Sequence, residues 1–214
     1  MKKKYKVTFL LDKSNLWFEK QLRNYDFRLN NKYTFKISKN QNNIKNQNIV
    51  FPLSYTRILP ESFLKKNELV LIAHPSKLPK DKGFAPVQNQ VLRNKNLIHI
   101  AIIRASNTVD SGPVGMRSKF LLIGHELSEE IREKQALATF NIIKKFLKKY
   151  PNIQYKKQRG FSTFNKKRSF TDNRLNINKS IKSQFNLLRI VNNKLYPASF
   201  EYKKNTYLLK IVKK

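Results

Sequence analysis

His74-Pro75-Ser76-Lys77-Leu78-Pro79-Lys80-Asp81-Lys82-Gly83-Phe84-Ala85-Pro86 leaves the apolar run Leu69-Val70-Leu71-Ile72-Ala73, and Thr108-Val109-Asp110-Ser111-Gly112-Pro113 comes shortly after a second run, Ile98 to Arg104. Continuous apolar runs of this length fit strands covered on both faces, the first of them a central parallel strand. In open α/β sheets, ligands bind at the carboxyl ends of strands. Each of these exits carries one titratable group, His74 or Asp110. An imidazole there exchanges protons near neutral pH, and a neighbouring carboxylate orients it and stabilises its protonated form. Taken singly, such a histidine caps a strand and such an aspartate caps a turn as readily as either does chemistry.

The alternation extends outward from these exits. Tyr5 to Leu11, Tyr33 to Ile37 and Ile49 to Leu53 read as strands, the third ended by Ser54-Tyr55. Asp12 and Ser14 offer capping side chains ahead of a short helix bearing Leu16, Phe18 and Leu22. Residues 39–48 form a polar loop. Ile58 to Lys66 reads as a short helix following Pro60, Val87 to Leu92 as the start of another, and Thr108 to Gly115 as a loop. The longest helix is predicted from about His125 to Lys149, stopping before Pro151, with Leu127, Ile131, Ala138, Ile142 and Phe146 on one stripe. Its acidic start (Glu126, Glu129, Glu130) and basic end (Lys144, Lys145, Lys148, Lys149) suit the helix dipole, and His125 reads as a capping residue. Residues 152–176 are basic and aperiodic. Lys179 to Val191 reads as an amphipathic helix, and Ser199–Tyr202 with Tyr207–Val212 as a hairpin about Lys204-Asn205. Strands alternating with short helices point to an open α/β sheet.

Composition sets the bounds. The 214 residues are 40% hydrophobic and 12% aromatic, enough to bury one core with a small appendage. With no cysteine, disulfides, thiolate metal sites and a cysteine nucleophile are excluded. Val7 to Leu11 is far too short for a secretory signal or a membrane span, and no later segment is long enough either, so a cytoplasmic protein with no membrane partner is expected. The net charge is +32, and residues 134–214 hold 21 Lys/Arg against only Asp172 and Glu201. An AT-rich coding sequence, rich in runs like Asn40-Gln41-Asn42-Asn43-Ile44-Lys45, yields such a surface without any partner; so do an anionic small substrate and RNA.

Together the two exits resemble the formyl transferase family: His-Pro-Ser-x-Leu-Pro from His74 to Pro79, then Gly83 and Ala85-Pro86, then Val109-Asp110-Ser111-Gly112-Pro113 after one helix and one strand. The family includes glycinamide ribonucleotide transformylase, methionyl-tRNA formyltransferase and the sugar N-formyltransferases, and the likeness covers roughly residues 49–149. A weaker likeness continues in Gln184 to Arg189, Tyr196-Pro197-Ala198-Ser199-Phe200 and Tyr207 to Ile211. These look like the terminal helix and hairpin of sugar-modifying members. The larger β-barrel tail of tRNA-modifying members does not fit comfortably after residue 160.

The resemblance implies an α/β fold with an open, mostly parallel Rossmann-like sheet and helices on both faces over residues 1–150. A basic connecting loop over 151–176 and a C-terminal helix and β-hairpin over 177–214 would follow. It implies transfer of a formyl group from 10-formyltetrahydrofolate, a donor substrate, to a substrate amine, with no metal. His74 is expected to assist proton transfer or stabilise the oxyanion, and Asp110 to support His74. Asn107, Val109, Asp110, Ser111 and Gly112 are the expected folate contacts. Ser54, Tyr55, Lys77, Pro79, Lys80, Lys82 and Gly83 are the expected acceptor contacts. The lysines would meet a nucleotide diphosphate, the folate glutamate tail or solvent. His99 and Trp17 read as structural, and Ser76 as no nucleophile.

One departure matters. Members commonly carry an asparagine two residues before the histidine, whose amide donates to the oxyanion; here that residue is Ile72. Losing such a donor costs about 2.7–4 kcal/mol. The expected acceptor is an amino sugar on a nucleotide. The alternatives are an RNA-directed enzyme of the methionyl-tRNA formyltransferase kind and a catalytically weakened binding protein that keeps the fold. The hairpin could serve a homodimer.

Overall fold

Strands rich in aromatic and β-branched residues open the chain, and in a computed structural model they pair in parallel. The structure describes residues 4–13, 16–27 and 29–214, so the expected cap Ser14 lies outside it. β1 (Tyr5–Leu11) lies between β2 (Tyr33–Ser38) and β3 (Ile49–Leu53), parallel to both, with α1 (Leu16–Asn24) as the first crossover. Asp12 is buried and accepts a hydrogen bond from Thr56. After α2 (Glu61–Lys65) the chain rejoins the sheet at a parallel bridge between Val50 and Val70 and continues as β4 (Leu71–His74). A short β5 (Lys82–Gly83) and α3 (Pro86–Leu92), with proline at its first turn, lead to β6 (Leu97–Arg104). β6 runs antiparallel to β4, and β7 (Val114–Leu121) antiparallel to β6. The sheet order is β2-β1-β3-β4-β6-β7, parallel up to β4 and antiparallel beyond it.

The antiparallel pairing of β6 with β7 has a simple cause. Only residues 105–113 join β6 to β7, whereas a parallel crossover needs a dozen residues or more. β7 starts inside the stretch expected to be loop. It is an edge strand, and Arg117 and Lys119 interrupt the apolar pattern that marks a buried one.

Strand alternation divides the core. Val7, Phe9, Leu11, Phe51, Leu71, Ile100 and Ile102 meet Phe18 and Leu22 of α1 and Phe140, Ile143 and Phe146 of α4 (Ser128–Lys149). On the opposite face, Leu10, Val50 and Val70 pack on Phe63 of α2, and Ile72, Ala101 and Ile103 pack on Leu78 and Val114. Each such side chain contributes about 1.5–3 kcal/mol on burial. Among the described residues no helix is long and apolar enough to cross a membrane.

α4 begins three residues later than expected, and His125 does not cap it. Glu130 caps it instead, accepting the Leu127 amide, while His125 is exposed with Nδ1 2.8 Å from Lys213 Nζ. The basic segment beyond Pro151 is not all loop. Lys156 bridges Val114, and β8 (Phe164–Asn165) pairs in parallel with β5. The expected helix from Lys179 shrinks to α5 (Phe185–Ile190), because the Gln184 side chain ties Asn176 and Lys179 into turns. β9 (Ala198–Tyr202) and β10 (Asn205–Leu209) form the hairpin, turning at Lys203 and Lys204, both at positive φ.

One buried ion pair docks this tail. Arg189 of α5, 1% exposed, donates to Glu126 Oε2 at 3.1 Å and to the Glu126 carbonyl at 3.0 Å. Burial pulls the Glu126 carboxyl upward, but the Lys134 ammonium and the amides of Ile123, Glu126 and Gly124 outweigh it and hold it at about 2. We predict that Arg189→Ala costs about 3–5 kcal/mol in chemical denaturation, since it removes one partner of a buried ion pair. A folded-state value below the ordinary 4.5 stabilises fully above pH 4.5, and the gain is lost as pH falls toward 2. The stability gap between wild type and Glu126→Gln should therefore narrow over that window.

Candidate active site

β4 ends on His74, and the turn after β6 delivers Asp110 across the same face of the sheet. The two side chains meet: His74 Nδ1 lies 3.5 Å from Asp110 Oδ2, with the residues 5% and 9% exposed. His74 Nε2 is 2.8 Å from the carbonyl oxygen of Asp81. A carbonyl only accepts, so Nε2 carries a hydrogen. The tautomer is thereby assigned from its partner, and Nδ1 is the ring nitrogen left to face the carboxylate.

The Asp110 turn is held on several sides. Asp110 has φ +51°, a left-handed conformation that costs a non-glycine residue about 1–2 kcal/mol. The Gly83 amide donates to Asp110 Oδ2 at 2.8 Å, and Lys82 Nζ donates to Ser111 Oγ at 2.8 Å. Gln158 Nε2 donates to the carbonyls of Asp110 and Gly112 at 2.8 and 2.9 Å. Gly112 sits so close to β6 that a Cβ there would lie 1.7 Å from the Arg104 carbonyl oxygen.

The other turn is pinned by the segment after α4. Thr163 Oγ1 accepts the Asp81 amide, Lys82 N donates to Thr163 O, and Phe84 N donates to Asn165 O. The buried Asp81 carboxylate pairs with Arg93. Ser76 is fully buried and donates to the Lys80 carbonyl, a structural role. Ile72, two residues before His74 and therefore on its face of β4, packs with Leu78, Ala101, Ile103 and Val114.

Of the residues expected at the site, His74, Lys82, Gly83, Asp110, Ser111 and Gly112 come together. Lys77 and Lys80 are exposed on the same turn, and Pro79 is half-buried. Val109 is 47% exposed beside Asp110. Ser54 and Tyr55 lie at the exit of β3, where the Tyr55 hydroxyl donates to Gln41. Asn107 lines an open cavity of about 600 Å³ between α2 and the end of β6, with Leu64, Val70 and Ala105 as apolar wall and Glu68 and Arg104 as polar lining. Neither His74 nor Asp110 lines that cavity. Val70 shares a face of the sheet with Ile72 and His74, but it and Arg104 stand at the start of β4, so the cavity lies at the opposite end of that strand from His74. His99 is half-buried in β6 opposite Lys119, and burial together with Lys77, Lys119, Arg117 and Lys95 pushes its imidazole below the ordinary value.

The Asp81 carbonyl and Gln158 were not foreseen from the sequence. The first acts through its backbone, which side-chain patterns cannot report. The second comes from the aperiodic segment, 48 residues beyond Asp110.

A buried imidazole with one nitrogen fixed and the other facing a carboxylate is an arrangement able to pass a proton, here set at the edge of a doubly covered α/β sheet. The formyl transferase family matches residues 2–146, and the chain belongs to that family. It is similar to the methionyl-tRNA formyltransferase of Rickettsia massiliae (strain Mtu5), 28% identical over 109 residues, which are 50% of this chain and 36% of that one. The chain thus spans well under half the length of that curated relative. A structure titled methionyl-tRNA formyltransferase from Clostridium thermocellum superposes with a TM-score of 0.81 at 18% identity, covering 97% of this chain and 92% of that one. A 4-N formyltransferase from Francisella tularensis gives 0.72 at 14% identity, covering 97% of both chains. HypX from Aquifex aeolicus in complex with tetrahydrofolic acid gives 0.71 at 14% identity, covering 96% of this chain and 37% of that one. At these identities the structures speak for the fold.

We predict that Gly112→Ala forces the β6–β7 turn off Arg104, costing about 1–3 kcal/mol as overpacking does. Its denaturation midpoint, measured against wild type, checks this.

Proposed function

We propose that the chain transfers a formyl group from 10-formyltetrahydrofolate to a substrate amine, most directly an amino sugar carried on a nucleotide. The observation that carries the reading is the 3.5 Å approach of His74 Nδ1 to Asp110 Oδ2 in a buried setting, with Nε2–H fixed on the Asp81 carbonyl. When bound, the folate donor supplies the formyl carbon and the leaving nitrogen. Asn107, Val109, Asp110, Ser111 and Gly112 would hold it. Of these, Asn107 also lines the cavity at the start of β4, where apolar Leu64, Val70 and Ala105 meet the charged Glu61, Lys65, Glu68 and Arg104.

The chain's own residues then manage the proton. A neutral amine attacking the formyl carbon must lose one proton, and the leaving nitrogen must gain one. His74 Nδ1 takes the first and returns the second, while Asp110 balances the imidazolium between the two steps. The Asp81 carbonyl keeps Nε2 out of this traffic. Lys82, tied to Ser111, places a cation beside the Asp110 turn. Lys77 and Lys80, exposed on the adjoining turn, suit the phosphates of a nucleotide-linked acceptor.

Ile72 stands where an amide donor to the oxyanion is expected, and its side chain packs on Leu78 and Val114 instead. In this reading the imidazolium at His74 alone meets the developing charge, and turnover is slow. α5 followed by the β9–β10 hairpin supports the amino-sugar acceptor, because that order is the one expected of sugar-modifying members. A second acceptor, charged initiator tRNA, is favoured by the names of the curated relatives and of the structure with TM-score 0.81.

Mass spectrometry after incubation with 10-formyltetrahydrofolate and a panel of nucleotide-linked amino sugars should find a formyl adduct on a sugar. Formylation of charged initiator tRNA alone would move the assignment to RNA. Folate binding with no product from either panel would leave a binding protein. His74→Ala and Asp110→Ala should each lower turnover about 10²–10⁴-fold while leaving the fold intact by circular dichroism. Ile72→Asn should raise turnover, by up to about 10²–10³-fold if its amide reaches the oxyanion; an unchanged rate would mean another donor fills that place.

A further inference from the structure

We propose that Gln158 is a positioning residue for Asp110, holding the turn so that the carboxylate faces His74; its kinetic consequence rests on the formyl-transfer reading, its geometric one does not. The residue lies beyond the stretch matched to the family, in the segment that follows α4. Lys156 and Val114 exchange both backbone hydrogen bonds, at 2.8 and 2.9 Å, and so fix this segment alongside the start of β7. Two residues on, the Gln158 amide donates to the carbonyls of Asp110 and Gly112. Both hydrogens of one NH₂ group are thereby used on the turn that carries the carboxylate.

Three features make this more than loop anchoring. Asp110 is left-handed, so its turn relaxes unless restrained. Gly112 abuts the Arg104 carbonyl, so the turn can relax only away from β6. Among the described residues Gln158 Oε1 is buried without a hydrogen-bond partner, a costly arrangement that persists because rotating the amide would face oxygen against the two carbonyls. The side chain is oriented by the turn, and the turn by the side chain. The Gly83 amide fixes one carboxylate oxygen directly. Gln158 fixes the backbone from which that carboxylate projects.

Gln158→Met keeps the length and removes both donors. In it, kcat should fall about ten- to hundredfold, as a small misplacement of a catalytic group does, with the KM for the acceptor unchanged. The readout independent of turnover is the ¹⁵N spectrum of the imidazoles. The chain has only 3 histidines, each assignable from its alanine variant. The His74 Nδ1 resonance should move in Gln158→Met in the same direction as in Asp110→Asn. If the Met variant fails to fold, Gln158→Asn, which keeps the amide but shortens its reach, is read in the same way. A His74 resonance that responds to Asp110→Asn but not to the Gln158 variants overturns the proposal, whether or not the wild type transfers a formyl group. Absence of formyl transfer by wild type, with the resonance moving as expected, upholds the positioning role and sinks only the reaction.

Discussion

The Gly83 amide donating to the Asp110 carboxylate is the bond on which the site depends, because it joins two turns that leave strands of opposite direction. β4 runs toward its exit at His74, while β6 runs the other way and leaves the sheet at Arg104, beside the start of β4. Asp110 must therefore travel back over the face of β4 to reach the imidazole. The nine-residue connection permits this only by a left-handed residue at Asp110 and a glycine pressed on the β6 backbone. The antiparallel direction of β6 thus places its exit at the far end of β4 from His74, and the return of the 105–113 connection is what brings the carboxylate to the histidine.

Much of this was legible in the sequence, and the limits have physical causes. Buried strands announce themselves, so Tyr5–Leu11, Ile49–Leu53 and the run before His74 are recognisable from hydrophobicity alone. The His-Pro-Ser and Val-Asp-Ser-Gly-Pro turns marked the two exits, and their side chains do meet. β7 was missed because an edge strand has one wet side, and lysine or arginine there costs nothing. α5 was overextended because the period of Ile181, Phe185 and Leu188 is helical, yet Ile181 is 71% exposed and has no core to pack against. His125 and Glu126 illustrate a local ambiguity. Both sit where caps belong, but a buried arginine 63 residues away captures the glutamate, and nothing near it in sequence shows that.

The charge excess gains meaning from the way the few acids are spent. With 13 acidic residues against 45 basic ones, nearly any exposed acid would find a cation. Several are instead withdrawn from the surface: Asp12 onto Thr56, Asp81 onto Arg93, Glu126 onto Arg189 and Asp110 onto the Gly83 amide. Asp12, Asp110 and Glu126 thereby tie together elements far apart in the chain, and Asp81 secures its turn to the end of α3. The positive surface is in part the complement of this burial, and a basic exterior follows without invoking a polyanionic partner. Lys82 differs from the remaining cations because its ammonium is committed to Ser111, next to the buried carboxylate.

Committing one imidazole nitrogen to a backbone carbonyl restricts any chemistry at His74. Nε2 cannot exchange its proton while bonded to Asp81, so proton transfer is confined to the Nδ1 edge, where Asp110 lies. That edge belongs to the face of the sheet shared by Ile72 and Val70, and Val70 lines the open cavity under Arg104 and Asn107. In the proposed reaction, donor and acceptor must therefore converge at that edge, beside the Lys77–Gly83 turn, with Ile72 as an apolar floor. An apolar floor excludes water but offers the oxyanion no hydrogen, so the charge that forms there must be met by the imidazolium. In the proposed reaction, isoleucine at position 72 would thus shift the work of stabilising the oxyanion onto the His74 imidazolium. That makes the placement of the Asp110 turn, and of each group that holds it, correspondingly more consequential.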